Sequence, residues 1–359
     1  MNAAAAVGRL DHRPAFPRAY APGVAVVGCG DVAKDWHLPA YARYGVKVVG
    51  VYDRRPEATN GVREAFPFVE RVFPTLDELL ADPHVDVVDI ATGPEDRLEL
   101  IERAVQAGKH VLAQKPLALD LHAARETAEK AERRGIKVAV NLNGRWAPPW
   151  RVATLLVDDR AIGDVVAITH VLDKPLPPLL GTHFDEIEHF TIFDYFSHWI
   201  DISRCWLDKS PVAAVRASEY RPPNQPVELK EPAAAWVEIV CESGANAMIR
   251  SIGNARTKRP ACPFWIHGTD GTIRGSVLLG SDFVELERDG ASPDGFALEG
   301  AWFPDGFAGT LAELASAIAE EREPFNSARH NLLSLAIALA ACRSAEEGSR
   351  AVSLDELRR

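Results

Sequence analysis

The chain has 359 residues, 47% hydrophobic and 25% charged, a composition that excludes general disorder and allows two folded domains. Its net charge of −11 comes without any basic block, which argues against nucleic acids and anionic membranes as partners. No segment is apolar for long enough to span a bilayer, and five scattered cysteines without a zinc-like spacing predict reduced thiols and a cytoplasmic location.

Between residues 24 and 141, short apolar segments alternate with longer amphipathic ones. Segments rich in valine with few polar residues are typical of strands buried on both faces of a parallel sheet. We therefore predict a doubly wound Rossmann domain over residues 23–144, after a loose extension over 1–22 that lacks the features of a signal peptide. The predicted strands are Val24–Cys29, Val46–Tyr52, Val69–Phe73, Val85–Ala91, His110–Ala113 and Lys137–Asn141, with helices over Glu95–Ala107 and Leu119–Arg134.

The pattern changes after Asn141, where prolines precede an irregular stretch, an aromatic helix and several strand-like segments with short turns between them. The predicted fold class is therefore α/β, with a C-terminal α+β domain over 145–359 built on a large, mainly antiparallel sheet. Its last helices can pack back on the first domain. The predicted elements are a helix over His189–Trp206, strands over Val212–Tyr220, Ala234–Cys241, Ala245–Ile252 and Phe264–His267, and helices over Gly306–Glu321 and Ala328–Ala345.

A glycine-rich turn follows the first predicted strand and opens a helix. Gly28 permits a tight turn, Gly30 lets the backbone approach a pyrophosphate, and the small Ala33 permits close packing of helix on sheet. The N–H groups at the start of that helix favour phosphates. A glycine turn without any ligand is the alternative, but strand, turn and helix occur in the required order. The run Gly28-Cys29-Gly30-Asp31-Val32-Ala33 thus predicts a dinucleotide site.

Asp53 ends the second predicted strand, twenty residues after Ala33, where a Rossmann domain holds an acid for the adenine ribose hydroxyls. Arg54 and Arg55 follow it, and an arginine at this place can instead receive the 2′-phosphate of NADP. Because the carboxylate would repel that phosphate, the sequence favours NAD, with NADP as the alternative.

The run Ala107-Gly108-Lys109-His110-Val111-Leu112-Ala113-Gln114-Lys115-Pro116 resembles the AGKHVxxEKP signature of the Gfo/Idh/MocA oxidoreductases. The glycine motif, Asn143-Gly144-Arg145 and Asp194-Tyr195-Phe196-Ser197-His198 extend the resemblance over nearly the whole chain. It implies hydride transfer between NAD(P) and a sugar, inositol or related polyol. It also implies a homodimer or homotetramer formed through the C-terminal sheet.

The resemblance assigns roles to individual residues. Lys115 would contact the nicotinamide ribose and the reacting oxygen, and Asp194 and His198 would be the acid and base on the substrate side. The sequence departs from the family pattern at Gln114, which replaces a glutamate, and at Arg97, where histidine is common. The remaining residues implied at the cofactor are Thr92, Gly93 and Asn143, and Arg145 is implied at the substrate.

These residue types fit the oxidation of an alcohol, in which a base takes the hydroxyl proton while hydride leaves. His198 can act as that base, Asp194 can orient it, and Lys115 can stabilise a developing alkoxide. On one regular helix, Asp194, His198 and Asp201 share a face at i, i+4 and i+7. An ordinary polar pair on a helix surface or subunit interface is the alternative.

Two further features leave their interpretation open. The segment His183-Phe184-Asp185-Glu186-Ile187-Glu188-His189 could ligate a metal, but its spacing matches no known ligand motif, so we expect no metal and a polar loop at the substrate pocket that includes Asp185. Trp146 and Trp150 flank two prolines and could stack on a sugar or form a buried hinge.

Two other functions compete with a dehydrogenase. One is a dinucleotide-binding sensor without turnover, which Gln114 favours. The other is a hydrolase or lyase that uses bound NAD transiently. The joint presence of Lys115, Asp194 and His198 favours a dehydrogenase that acts on a small-molecule substrate.

Overall fold

A computed structural model describes residues 7–8, 10–176, 179–254 and 256–358 of the chain. The chain forms two compact units. The first, the Rossmann unit, consists of Arg13–Trp146 and Phe303–Leu333. The second, the sheet unit, takes in the described residues of Met1–His12, Ala147–Trp302 and Ser334–Arg359.

Strands and helices alternate in the first part of the chain, and strands dominate the middle. The strands are β1 (Val7–Gly8), β2 (Val24–Val27), β3 (Val48–Tyr52), β4 (Val87–Ile90), β5 (His110–Gln114), β6 (Val138–Asn141), β7 (Val165–Leu172), β8 (Val212–Tyr220), β9 (Ala234–Cys241), β10 (Asn246–Ser251), β11 (Pro263–Gly268), β12 (Thr272–Ser276), β13 (Phe283–Glu287) and β14 (Asp294–Phe296). The helices are α1 (Leu38–Tyr44), α2 (Val62–Ala65), α3 (Leu76–Ala81), α4 (Arg97–Gln106), α5 (Leu121–Arg133), α6 (Pro148–Asp158), α7 (Ser197–Trp206), α8 (Asp305–Ala319) and α9 (Ala328–Glu346). Among the described residues, no helix has the length and apolar character that crossing a membrane requires.

The Rossmann unit is built on a parallel sheet with the strand order β3-β2-β4-β5-β6. Every residue of β2, β4 and β6 is buried, as expected when helices cover both faces of a parallel sheet. The predicted doubly wound domain is therefore confirmed. α8 belongs to this unit because it packs against β6 and against the short helical turn Asn143–Trp146.

One predicted strand of this domain is wrong. Val69–Phe73 is not a regular strand: it makes a few backbone hydrogen bonds with β3 and one isolated bridge, between Val72 and Val51. Val69 and Phe73 are buried but the three residues between them are exposed, so the segment lies along the edge of the sheet and cannot be an inner strand. As a result, β5 is the fourth strand of the sheet in chain order, not the fifth.

The sheet unit contains a mixed sheet with the order β1-β14-β13-β12-β11-β7-β10-β9-β8. Its pairings are antiparallel except for β7 with β10 and β1 with β14, so the prediction of a large, mainly antiparallel sheet is confirmed. Helices α6 and α7 pack on this sheet, and the residues buried on it include Ile168, Ile249 and Phe264. The alternate residues of β7, β9, β10 and β11 remain at least partly exposed.

Candidate active site

The glycine loop joins β2 to a π-helical turn, Ala33–His37, which continues into α1. Gly28 has a φ of 95°, and a Cβ atom there would lie 3.0 Å from the carbonyl oxygen of Ala91. A Cβ atom at Gly30 would meet no atom of the described residues within 4 Å, so the space outside the loop is open. This space and the N–H groups beside it fit a pyrophosphate.

Asp53, just after β3, braces the glycine loop. Its Oδ2 accepts a hydrogen bond of 2.8 Å from the N–H of Cys29, and its Oδ1 accepts one of 2.9 Å from the N–H of Arg55. Burial alone would raise the pKa of Asp53, but these two N–H groups and the Arg55 guanidinium outweigh burial and lower it. The carboxylate is therefore an anion at the carboxyl edge of the sheet, where the sequence predicts the adenine ribose.

Both arginines that follow Asp53 have carboxylate partners. Arg54 forms an ion pair of 2.6 Å with Asp96, and both side chains are exposed. The Nε of Arg55 lies 3.6 Å from Oδ1 of Asp53. Each guanidinium that could receive a 2′-phosphate is thus already engaged by an acid of the Rossmann unit.

A buried arginine joins the loops that follow β4 and β5. The guanidinium of Arg97, at the start of α4, donates hydrogen bonds to the carbonyl oxygens of Thr92 and Pro116. These carbonyls lie in the two loops that carry Gly93 and Lys115, so Arg97 fixes the position of one loop relative to the other. The sequence marked Arg97 only as a departure from the family pattern, and this positioning contact depends on residues distant in the chain.

Gln114, the last residue of β5, carries a buried polar atom that needs a donor. Its Oε1 has no hydrogen-bond partner among the described residues. Buried side-chain oxygens are nearly always hydrogen-bonded in folded proteins, so an orphan of this kind indicates a group that arrives with a ligand. A ribose hydroxyl of a dinucleotide is such a donor. Gln114 and the open space at Gly30 therefore fit a nicotinamide dinucleotide.

The turn Asn143–Trp146 is buried in the Rossmann unit. Arg145 donates a hydrogen bond to the carbonyl oxygen of Phe325. Trp146 packs so closely on α8 that a Cβ atom at Gly309 would lie 2.2 Å from its Cγ. Each of these expected ligand-binding residues therefore makes internal contacts.

Asp194 and His198 lie where two helical segments meet. The predicted single helix over His189–Trp206 is wrong in part, because Asp194 lies in a π-helical turn, Thr191–Tyr195, and His198 lies in α7. The regular i, i+4, i+7 spacing does not apply across this junction. Such π-helical turns are frequent at functional sites.

The side chains around this junction differ in their surroundings. Asp194 is buried, and the hydroxyl of Ser197 donates to its backbone oxygen at 2.6 Å. The His198 ring meets the ring of Trp302 edge to face, with 5.3 Å between centroids. Asp201 accepts a hydrogen bond of 2.6 Å from the hydroxyl of Ser334, which gives it a structural contact. Trp150 is fully buried among aromatic rings that include Trp302.

In the polar segment before this helix, the described side chains of Asp185 and His189 have separate partners. Oδ1 of Asp185 accepts a hydrogen bond of 2.9 Å from the N–H of Lys230. His189 instead lies with Nδ1 2.7 Å from Glu219 and Nε2 3.0 Å from Glu346. The hydrogen bond with Glu219, and to a smaller extent the one with Glu346, outweighs burial and raises the pKa of His189 to about 9.

Comparison with known proteins identifies both parts of the chain. Residues 23–142 match the model described as the oxidoreductase family with an NAD-binding Rossmann fold, and residues 150–274 match the GFO/IDH/MocA C-terminal domain. The D-apiose dehydrogenase of Paraburkholderia graminis is 28% identical over 353 residues, which cover 93% of this chain and 90% of that protein. The 1,5-anhydro-D-fructose reductase of Ensifer adhaerens is 27% identical over 338 residues, which cover 91% of this chain and 97% of that protein. An oxidoreductase from Agrobacterium radiobacter, solved in complex with NAD+, L-tartaric acid and magnesium, has a similar fold, with a TM-score of 0.79 and 24% identity; the match covers 94% of this chain and 99% of that chain.

Proposed function

Because the chain belongs to the Gfo/Idh/MocA family of NAD-binding oxidoreductases, we propose that its substrate is a sugar, an inositol or a related polyol. The observation that carries the cofactor part of the proposal is Oε1 of Gln114, which is buried and has no hydrogen-bond partner among the described residues. It lies directly before Lys115, at the same sheet edge as the glycine loop. Relatives named as a sugar dehydrogenase and a sugar reductase support the substrate class.

In the direction of alcohol oxidation, the proposed roles are as follows. His198 accepts the proton of the substrate hydroxyl, and Asp194 binds a neighbouring hydroxyl or orients the imidazole. The ammonium group of Lys115 stabilises the negative charge that develops on the reacting oxygen. The chemistry that bound NAD supplies is acceptance of the hydride.

The other proposed ligand residues divide into two groups. The loop residues Thr92, Gly93 and Asn143 form the carboxyl edge at which a Rossmann domain binds its cofactor. We propose Arg145, Trp146 and Asp185 as the residues on the substrate side; each of them also makes an internal hydrogen bond or packing contact within its own unit.

A substrate screen tests this function. Sugars, inositols and sugar acids are offered with NAD, and reduction is followed by the absorbance of the reduced nicotinamide. We expect turnover with at least one polyol. Binding of NAD without turnover of any compound would support a sensor, and tightly held NAD with product formation but no net reduction would support a hydrolase or lyase.

We predict that the protein binds NAD more tightly than NADP, because Asp53 is ionised and both neighbouring arginines are paired. Asp53→Ala should weaken NAD binding by roughly 10-fold, the effect of losing one hydrogen bond to a charged group. It should therefore reduce the difference in affinity between NAD and NADP. Asp96→Ala is the matched variant, since it frees Arg54 and keeps Asp53, and it should raise NADP affinity alone. Calorimetry with both cofactors measures this, and tighter binding of NADP by the unaltered protein contradicts the assignment.

We propose that the outer face of the sheet unit packs against a second copy of the chain. Four large side chains on this face are only partly buried: Val171, Trp236, Met248 and Trp265. Met248 and Trp265 lie on either side of Thr169 of β7, which is paired with both of them. The same face carries the ion pairs Arg216–Glu238 and Arg274–Glu285 beside Met248 and Trp265. Large apolar side chains among polar ones are typical of subunit interfaces. This supports the homodimer or homotetramer that the family resemblance implies.

We predict that Met248→Asp shifts the protein to smaller species, because it buries a new carboxylate in the interface, directly beside Glu238. Light scattering after size-exclusion chromatography measures the mass of the particle. Val227→Asp, at a side chain that is 88% exposed, is the control and should leave the mass unchanged. Equal masses for all three proteins would remove this face as the interface.

We also propose a cytoplasmic location. All five cysteines lie in the described part of the chain, and none of them forms a disulfide. Reduced thiols are typical of proteins in the cytosol.

A further inference from the structure

Three ligand atoms meet in the sheet unit, apart from the residues proposed to act in hydride transfer. His189, Glu219 and Glu231 each bring one such atom within 4.8 Å of the others. His189 precedes the π-helical turn that holds Asp194, Glu219 lies near the end of β8, and Glu231 lies shortly before β9. A fourth carboxylate, from Glu346 at the end of α9, lies 3.0 Å from Nε2 of His189.

The cluster holds more negative charge than its own residues offset. Only His189 can supply a positive charge to the three glutamates, and no lysine or arginine of the described residues forms an ion pair with any of them. Glu219 is the decisive member, because its side chain is only 6% exposed. Its Oε2 faces His189 and its Oε1 is buried without a hydrogen-bond partner in the described part of the chain. A buried, unpartnered carboxylate oxygen is costly unless a cation or donor reaches it.

We propose that Nδ1 of His189, once deprotonated, binds one Zn²⁺ ion together with Glu219 and Glu231, while the carboxylate of Glu346 accepts a hydrogen bond from the N–H at Nε2. A water molecule would complete the tetrahedron. An imidazole nitrogen with carboxylate oxygens is a donor set that zinc accepts, whereas Mg²⁺ and Ca²⁺ prefer oxygen ligands alone. Ligand atoms about 2.0–2.1 Å from a tetrahedral ion lie roughly 3.3 Å apart, so the residues need only small movements from their present spacing.

The ion has a structural role in this proposal. It would join the turn that leads into Asp194 to β8 and to the segment before β9, and the hydrogen bond between Nε2 of His189 and Glu346 would add the end of α9. Removal of the metal should therefore lower the thermal stability of the sheet unit, since a ligand that binds only the folded state stabilises the folded state. The ion takes no part in proton or hydride transfer, which needs no metal.

Metal binding is measured on the full chain without an affinity tag. The protein is treated with a chelator and dialysed against Zn²⁺, and the bound metal is determined by elemental analysis. Co²⁺ serves as a second probe, because its visible absorption reports the ligand geometry. We expect one ion per chain and a higher melting temperature with Zn²⁺ than after chelation.

Two variants and a control test the site: Glu219 is a proposed ligand, and Glu346 is the hydrogen-bond partner that orients the His189 ring. Glu219→Gln keeps the shape of the side chain and removes its charge, and it should weaken Zn²⁺ binding by at least about 100-fold. Glu346→Gln changes a side chain that is 62% exposed, so it should fold normally and weaken binding by about 10-fold. Glu228→Gln, at an exposed residue in the connection between β8 and β9, should bind as the unaltered protein does.

Each outcome decides the proposal. Stoichiometric binding that falls in Glu219→Gln and Glu346→Gln but not in Glu228→Gln supports it. If Glu219→Gln does not fold, Glu346→Gln alone makes the comparison. Absence of bound Zn²⁺, or equal Zn²⁺ affinity in Glu219→Gln, Glu346→Gln and the control, would overturn it.

Discussion

His198→Ala is expected to lower the turnover number by about 10²–10⁴ while leaving the NAD dissociation constant unchanged. This expectation rests on the proposed function, in which His198 takes the hydroxyl proton. His198 lies on α7 of the sheet unit, and the residues that fit the dinucleotide belong to the Rossmann unit. The edge-to-face contact with Trp302 restricts the imidazole ring, as a group that moves a proton at a fixed position requires.

The measurement combines turnover, its pH dependence and NAD affinity, with the substrate that the screen identifies. Loss of the base should flatten the limb of the pH–rate profile that reports its titration. His122→Ala, at an exposed residue of α5, is the matched control and should leave all three quantities unchanged. Near-normal turnover of His198→Ala with an unaltered pH profile would remove His198 from the mechanism.

Lys115→Met provides the contrasting result. Lys115 follows β5 at the carboxyl edge of the parallel sheet, where a Rossmann domain binds its cofactor. We therefore expect Lys115→Met to weaken NAD binding. It should also lower the turnover number by about 10²–10³, because the ammonium charge of Lys115 stabilises the developing alkoxide. Asp194→Asn should lower turnover less than His198→Ala, because it tests orientation more than proton transfer.

Local sequence pattern was sufficient for most of the Rossmann unit. Its strands are short segments of valine and isoleucine that must be buried on both faces, and the glycine motif lies between strand and helix as predicted. Periodicity also gave β8 and β9 their observed bounds. The sequence pattern does not predict β7, because its buried positions include His170 and the alternation of apolar and polar residues is therefore broken. Burial lowers the pKa of His170 to about 3.

Contacts between distant residues could not be predicted in this way. Arg97 stands in an ordinary amphipathic helix, and its hydrogen bond to Pro116 exists only because β4 and β5 are neighbours. The histidines and acids around Asp185 were visible as a polar segment, but the partners of His189 lie 30 and 157 residues away. The π-helical turn at Asp194 also has no sequence signature that we recognised.

A buried polar network in the Rossmann unit leads to the second large effect. Asp89 lies in β4, and its Oδ2 accepts hydrogen bonds of 2.6 Å from both the hydroxyl of Tyr41 and Nδ1 of His37. Nε2 of His37 lies 3.3 Å from Nδ2 of Asn141, whose Oδ1 accepts a hydrogen bond of 2.8 Å from the hydroxyl of Thr310. All five side chains belong to fully buried residues, so no water replaces a lost partner. The network connects β4, the turn after the glycine loop, β6 and α8.

Asp89→Ala is expected to lower the free energy of unfolding of the Rossmann unit by about 2–6 kcal/mol. The substitution leaves two buried donors, on Tyr41 and His37, without an acceptor, and each such group costs about 1–3 kcal/mol. Tyr41→Phe removes one donor and keeps the acceptor, so it should cost less. Asp77→Ala is the control: its side chain is 86% exposed in a surface ion pair with Arg103, and a pair of this kind contributes less than about 1 kcal/mol.

Urea unfolding of the three variants, with and without NAD, measures these differences. Because NAD should bind only the folded Rossmann unit, a concentration 100 times its dissociation constant should restore about 2.7 kcal/mol to each variant. Asp89→Ala should need more NAD than Asp77→Ala to reach the same urea midpoint, since it starts from a lower free energy of unfolding. A midpoint for Asp89→Ala equal to that of Asp77→Ala would show that the buried donors find other partners and that the network does not stabilise the Rossmann unit.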